Sequence, residues 1–161
     1  MFAYCALGIM TIIILECLAK QDLKERMVYT FPIILLHLMW SVYLVFSGFY
    51  SGEFLAVYWI CHLIIYIFLN HFHIWGGGDS DLLILFSDMC LLGIQTENIY
   101  QFVFQECLWL IGGLVLSILI GRLEGRRKGY KCTLKTAVAV VPGVAIAMIF
   151  LLTFGGIWRF A

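Results

Sequence analysis

The sequence predicts an all-α membrane protein: one polytopic bundle of about six transmembrane helices, formed by residues 1–161 as a single domain. Three observations carry that prediction. Hydrophobic residues make up 63% of the chain and charged residues only 12%, with a mean hydropathy of +1.01. A soluble domain carries about 25% charged and about 45–50% apolar residues, so lipid must solvate much of this surface. The apolar residues also gather into six stretches, and Lys and Arg sit almost entirely on one side of them.

The stretches run at roughly 2–19, 31–48, 54–72, 80–95, 102–121 and 136–155. A spanning helix needs about 20 residues. The first stretch lacks a basic segment ahead of it and meets charged residues at once, so it reads as a retained helix and not a cleaved signal peptide. Its connection to the second is Lys20 to Arg26. The connection between the second and third stretches holds Gly48, Ser51, Gly52 and Glu53. The third leads through Asn70 to Trp75 into Gly76, Gly77, Gly78 and Asp79. The fourth is the shortest and contains Asp88; Gln95 to Asn98 joins it to the fifth. The last connection, Arg122 to Lys135, is basic and precedes the sixth stretch.

Lys20, Lys24 and Arg26 lie in the first connection, and Arg122, Arg126, Arg127, Lys128, Lys131 and Lys135 in the fifth. Only Arg159 falls on the opposite side. The positive-inside rule then puts connections one, three and five in the cytoplasm and both termini outside a plasma membrane. Tyr29, Tyr50, Trp75, Tyr100, Tyr130 and Trp158 sit near the expected interfaces, as an aromatic belt does. The basic run reads as a topology anchor in contact with anionic lipids. Formal net charge is zero, so no global field recruits nucleic acid. Cys5, Cys17, Cys61, Cys90, Cys107 and Cys132 form no CxxC pair and no zinc-ligand spacing, which predicts neither a disulfide framework nor a metal site.

This topology brings Asp22 and Asp79 to the same membrane face. Two carboxylates held close share one proton: the ionised one activates water, and the protonated one polarises a scissile carbonyl. Three consecutive glycines, Gly76, Gly77 and Gly78, allow positive φ angles and a close approach of another chain beside Asp79.

Gly76-Gly77-Gly78-Asp79 matches the G-x-G-D motif of the GxGD membrane aspartic peptidases. The setting resembles the prepilin leader peptidase branch, in which the motif leads directly into a helix, here through Leu82 to Leu85. That branch also places an aspartate after an earlier helix in a D-x-x-x-x-x-[IV]-P-N pattern, which Asp22 to Val28 follows through the aliphatic position. A basic segment ahead of Val140-Val141-Pro142-Gly143 is similar to the family's last segment. The resemblance covers nearly the whole chain as a six-helix catalytic core. It implies an aspartic endopeptidase without a cofactor, with Asp22 and Asp79 as the catalytic pair. It implies cleavage of a short basic leader from a type IV prepilin-like or pseudopilin substrate at the cytoplasmic face.

The chain departs from the family pattern at three positions. Tyr29 and Thr30 stand where the family usually has Pro and Asn, and Asp81 stands where many relatives carry Lys. Asp81 therefore has two readings, as an acid favoured in the first turn of a helix or as a group tuning the pair. The zinc-binding insertion with paired CxxC motifs is lacking, so the resemblance implies peptidase but not methyltransferase activity.

Other acids keep structural readings beside functional ones. Asp88 lies on the same helical face as Asp81 and is expected to face the bundle interior. Glu16 and Glu106 read as comparable acids near helix ends. His71 and His73 read as interfacial polar residues ahead of the glycines and not as metal ligands. Two alternatives to the peptidase follow: a non-catalytic membrane scaffold degenerate from that family, and a small proton or cation transporter using the intramembrane acids.

Overall fold

A computed structural model describes residues 1–72, 76–96, 98–127 and 139–160. Among the described residues six helices follow one another: α1 (Phe2–Glu25), α2 (Thr30–Ser47), α3 (Gly52–His71), α4 (Gly77–Gly93), α5 (Ile99–Arg127) and α6 (Val141–Phe160). The described residues contain no strand, so the all-α class expected from the sequence is the class observed.

All helices except α4 are long and apolar enough to cross a membrane. Helix α4 has 17 residues and includes Asp79, Asp81 and Asp88. At 1.5 Å per residue it is roughly 25 Å long, short of a roughly 30 Å hydrocarbon core. Its position explains how it tolerates polar residues. Helix α4 is the centre of the bundle, packed against α2, α3 and α6, and between Ser80 and Leu92 only Ile84 escapes full burial. Polar groups at membrane depth are tolerated where protein, not lipid, surrounds them.

The other helices wrap this centre with one face each. On α2, Ile33, Leu36, Trp40 and Leu44 recur every three or four residues and point inward. Val57, Ile60 and Ile64 on α3, and Phe104, Leu108 and Ile111 on α5, are exposed, as suits helices facing lipid. Helix α6 is the second most enclosed and packs closely through small residues. A methyl group at Gly143 would strike Gly113 O and Ser117, and one at Gly155 would strike Leu92 O.

Contacts between helix ends define the two ends of the bundle. At one end, Arg26 pairs with Glu124 at 3.0 Å, Asp22 accepts from Val141 and Thr30 donates to Asp81. At the other, Arg159 Nε and Nη2 donate to Leu92 O and Leu91 O at 3.1 and 2.8 Å, and its guanidinium lies 4.0 Å over the Phe49 ring. This gives the lone outlying cation a structural task. It satisfies carbonyls that the C-terminal turn of α4 leaves without helical partners.

Several boundaries differ from the hydropathy reading. The polar segment from Lys20 is not a loop: α1 continues to Glu25 and stops at Arg26, in the left-handed region at φ 55°, ψ 33°. Lys20, Gln21, Lys24 and Glu25 are good helix formers, and Glu16 pairs with Lys20 at 2.7 Å one turn apart, so helix outruns apolarity. Helix α5 likewise extends past the apolar stretch at both ends. Helix α4 begins at Gly77, taking in Asp79 rather than following it. Helix α6 starts at Val141, with Pro142 in its first turn, where the missing N–H costs nothing. Residues 136–138 of the sixth stretch lie outside the described residues.

Candidate active site

Asp22 sits in the last turn of α1 and is buried, with 5% exposure. Its Oδ2 accepts the backbone N–H of Val141 at 3.0 Å. Val141 opens α6, so the carboxylate supplies an acceptor that the free N–H groups of a helix start require. Ser117 fixes the same turn from α5: its Oγ donates to Val140 O at 2.5 Å and accepts from Gly143 N at 3.2 Å. Helix α6 is therefore aimed at Asp22 from two sides.

Asp79 sits in the first turn of α4 and is half-buried. Gly78 brings it there. A Cβ at Gly78 would lie 2.6 Å from Val28 Cβ and 2.9 Å from Val28 O, too close for any side chain. The α1–α2 connection thus rests directly on the start of α4, and the end of α1 is held beside it.

Burial raises the Asp79 carboxyl from its ordinary 3.8 to about 6, with the Asp22 charge adding to the shift. Among the described residues no donor is hydrogen-bonded to the Asp79 side chain. One member of the pair is thus anchored to a helix start, and the other keeps its proton toward neutral pH.

The glycines act differently from the sequence expectation. None of them uses a positive φ: among the described glycines only Gly48 does. Gly76 is the N-cap of α4 at φ −62°, ψ 153°, and Gly77 and Gly78 are helical. Close approach is the property used, and the segment that approaches Gly78 is this chain's own Val28.

Asp81 is also buried, two residues further along α4. Thr30 Oγ1, at the start of α2, donates to Asp81 Oδ2 at 2.5 Å. The departures from the family pattern at Thr30 and Asp81 are therefore in contact with one another.

Two further clusters lie deeper in the bundle. His37 Nδ1 is 2.7 Å from Asp88 Oδ2, and Trp59 Nε1 donates to Asp88 Oδ1 at 3.2 Å. His62 Nε2 is 2.8 Å from Glu106 Oε1, to which Tyr58 also donates at 2.7 Å. Asp88 faces the interior as expected. Glu106, expected near a helix end, instead lies two turns inside α5 and is buried, because its partners on α3 meet it there. The sequence reading missed His37, Tyr58, Trp59 and His62. The available signal was that a buried intramembrane acid requires a partner, and these two histidines lie within apolar runs.

The remaining candidates are peripheral. Glu16 is exposed and bound to Lys20. His71 is exposed at the end of α3, and His73 lies outside the described residues. Arg122, Arg126 and Arg127 are exposed on the last turns of α5; Lys128, Lys131 and Lys135 lie outside the described residues. No group of three or more His, Cys, Asp or Glu side chains able to hold a metal occurs among the described residues. No protein-family model, no curated protein and no solved structure matches this chain.

Proposed function

We propose that this chain is a membrane aspartic endopeptidase that removes a short basic leader from a prepilin-like substrate at the cytoplasmic face. The observation that supports the reading is the placing of Asp22 and Asp79 at one end of the bundle, where Gly78 at the start of α4 seats on Val28 just after α1. The Asp22 charge adds to the upward shift that burial gives the Asp79 carboxyl.

In the working state Asp22 is ionised and Asp79 protonated. The ionised carboxylate takes a proton from a water molecule, which attacks the scissile carbonyl. Asp79 donates its proton to the carbonyl oxygen, which carries charge as the tetrahedral intermediate forms. Collapse releases the amine, with the proton returned from the pair. Glycine before the cut suits this chemistry, because a helical substrate must unwind there.

A scaffold that binds without turnover is the second reading. Its support is the bond from Val141 N–H to Asp22 Oδ2, which gives that carboxylate a purely structural use. Co-expression with a panel of prepilin-like substrates separates the two, with leader removal followed by mass. Wild type is expected to cleave, and Asp22→Asn and Asp79→Asn to insert normally without cleaving. Substrate retained by wild type without any loss of mass sinks the peptidase and leaves the scaffold.

A further inference from the structure

Leu83 and Phe86 follow Asp79 along one face of α4, one and two turns on. Both residues also line an apolar groove of about 350 Å³. Its sides are α3 and α5, which pack on the bundle but not closely on each other, and its floor is α4. The face that carries Asp79 therefore continues as the floor of a groove between two lipid-facing helices.

One cluster interrupts the apolar walls. Tyr58, His62 and Glu106 meet there, and both bonds to the carboxyl fall on Glu106 Oε1. His62 Nδ1 lies 3.0 Å from Tyr58 O and must donate to it, because a carbonyl only accepts. The imidazole is thus committed on both nitrogens, while the carboxyl keeps acceptor capacity at its second oxygen. Acceptor capacity at membrane depth is costly unless a donor meets it. Tyr58 also contacts Ser87 O at 3.3 Å, which fixes the depth of the cluster. Counting from Asp79 to Ser87 at 1.5 Å per residue, it lies roughly 12 Å along α4 from the aspartate.

We propose that this groove receives the transmembrane helix of the substrate, and that Glu106 accepts a hydrogen bond from a hydroxyl or amide side chain about eight residues beyond the scissile bond. A lipid acyl chain fills apolar space but offers no donor to Glu106. A helix offers one, and its end is delivered along the Asp79 face of α4. The inference rests on the peptidase reading and adds to it one polar position in the substrate helix at a set depth.

Cys61 on α3 and Cys107 on α5 line the groove, and both are exposed free thiols. They report occupancy without cleavage. The full-length Asp79→Asn chain is reconstituted in phosphatidylethanolamine–phosphatidylglycerol vesicles. The probe is a Leu/Ala helix of about 20 residues behind a Lys-rich leader ending in glycine. It carries Asn at the eighth position after the glycine, and a single cysteine is walked along it. Disulfide cross-links to Cys61 and Cys107 are expected to recur on one helical face and to peak about the eighth residue. They are expected to fall about tenfold when the Asn is replaced by Leu, or in Glu106→Leu; that loss corresponds to one good hydrogen bond. Val103→Trp fills the groove while leaving the polar cluster intact, and is expected to abolish them. Cross-links of equal yield at Cys17, exposed on α1, or yields indifferent to both the donor and Val103→Trp, overturn the proposal. Cleavage of the same helix by wild type is scored separately. A helix that cross-links but is never cut overturns the peptidase and leaves the groove, whereas one that is cut without cross-linking overturns the groove.

Discussion

Asp79 and Asp88 stand on the same helix and are handled in opposite ways. Asp79, at the end of α4, is half-buried, and among the described residues its side chain receives no hydrogen bond. Asp88, further along, is fully enclosed yet accepts from Trp59 and meets His37 at 2.7 Å. Glu106 repeats the second pattern with His62 and Tyr58. Burial alone does not make an acid available for chemistry. An acid clasped by an imidazole has its proton already shared, whereas one raised by burial, with a second carboxylate adding to the shift, keeps a proton it can transfer.

If that contrast is right, substitutions at the two depths fail in different currencies. His37→Ala leaves the Asp88 carboxyl buried beside a void and without its imidazole. Removing one partner of a buried pair costs about 3–5 kcal/mol, so a large drop in melting temperature in detergent is expected. Asp88→Asn retains a polar partner for Trp59 and should lose less. Equal melting of His37→Ala and wild type breaks the comparison, because the pair then contributes nothing to the deep bundle.

At the Asp79 end the expected damage is catalytic. Gly78→Ala drives a methyl group against Val28, so either the start of α4 or the α1–α2 connection must move. Displacement of one reacting group by about 1 Å costs on the order of 100-fold in rate. Gly112→Ala on α5 is the internal control: a Cβ there would meet nothing within 4 Å. Cleavage rates of the two variants, compared at equal insertion, test whether the Gly78–Val28 contact positions the pair. Equal rates mean that it does not.

The sequence exposed these two regions unequally, for physical reasons. Hydropathy and the asymmetry of Lys and Arg made the six-helix bundle legible, because lipid imposes long apolar runs and a charge bias on any chain that spans it. Helix ends were less legible. Lys20 to Glu25 are polar but favour helix, so hydropathy stops where hydrogen bonding does not. Asp22 and Asp79 could be singled out because short motifs mark them, although no local signal says that they lie at one end of the bundle; that follows from Gly78 seating on Val28. His37 and His62 carry no motif, and their partners Asp88 and Glu106 lie on other helices. Matching each intramembrane acid to an intramembrane histidine would have found the components but not the pairing. The closure of α6 on Asp22 was equally hidden, since a carboxylate accepting from the start of another helix leaves no trace in spacing.

The pH response sharpens the comparison further. The Asp79 carboxyl titrates at about 6 in the folded protein against an ordinary 3.8, because burial and then the Asp22 charge oppose its ionisation. The folded state thus holds this proton more tightly, and its stabilising contribution is full below about 4 and is lost as pH rises through about 6. Asp79→Asn removes that dependence, so its melting temperature should gain on wild type between those limits and run parallel above them. Cleavage by wild type should decline above about 6, where the pair loses its shared proton. A kcat/KM profile flat from pH 5 to pH 8 (a range chosen to bracket about 6) rejects Asp79 as the proton donor.

The smallest expected effect concerns Thr30 and Asp81, which lie at the Asp79 end of the bundle but are bonded to one another, as the deep acids are to their partners. Thr30→Val removes the hydroxyl that donates to Asp81 and leaves a buried carboxyl underserved, at a cost of about 1–3 kcal/mol. Thr30→Ser keeps the donor and should restore most of the loss. In a double-mutant cycle with Asp81→Asn the losses should not add, because both changes disturb one bond. Catalysis is the sharper readout. Asp79 is seated by Gly78 on Val28 rather than by this bond, so Thr30→Val should leave kcat/KM close to wild type while lowering the melting temperature. A fall in kcat/KM as large as that of Gly78→Ala would place Asp81 within the catalytic machinery. The division would then run between pairing with imidazole and pairing with hydroxyl, because an acid with a neutral donor would be taking part in the chemistry.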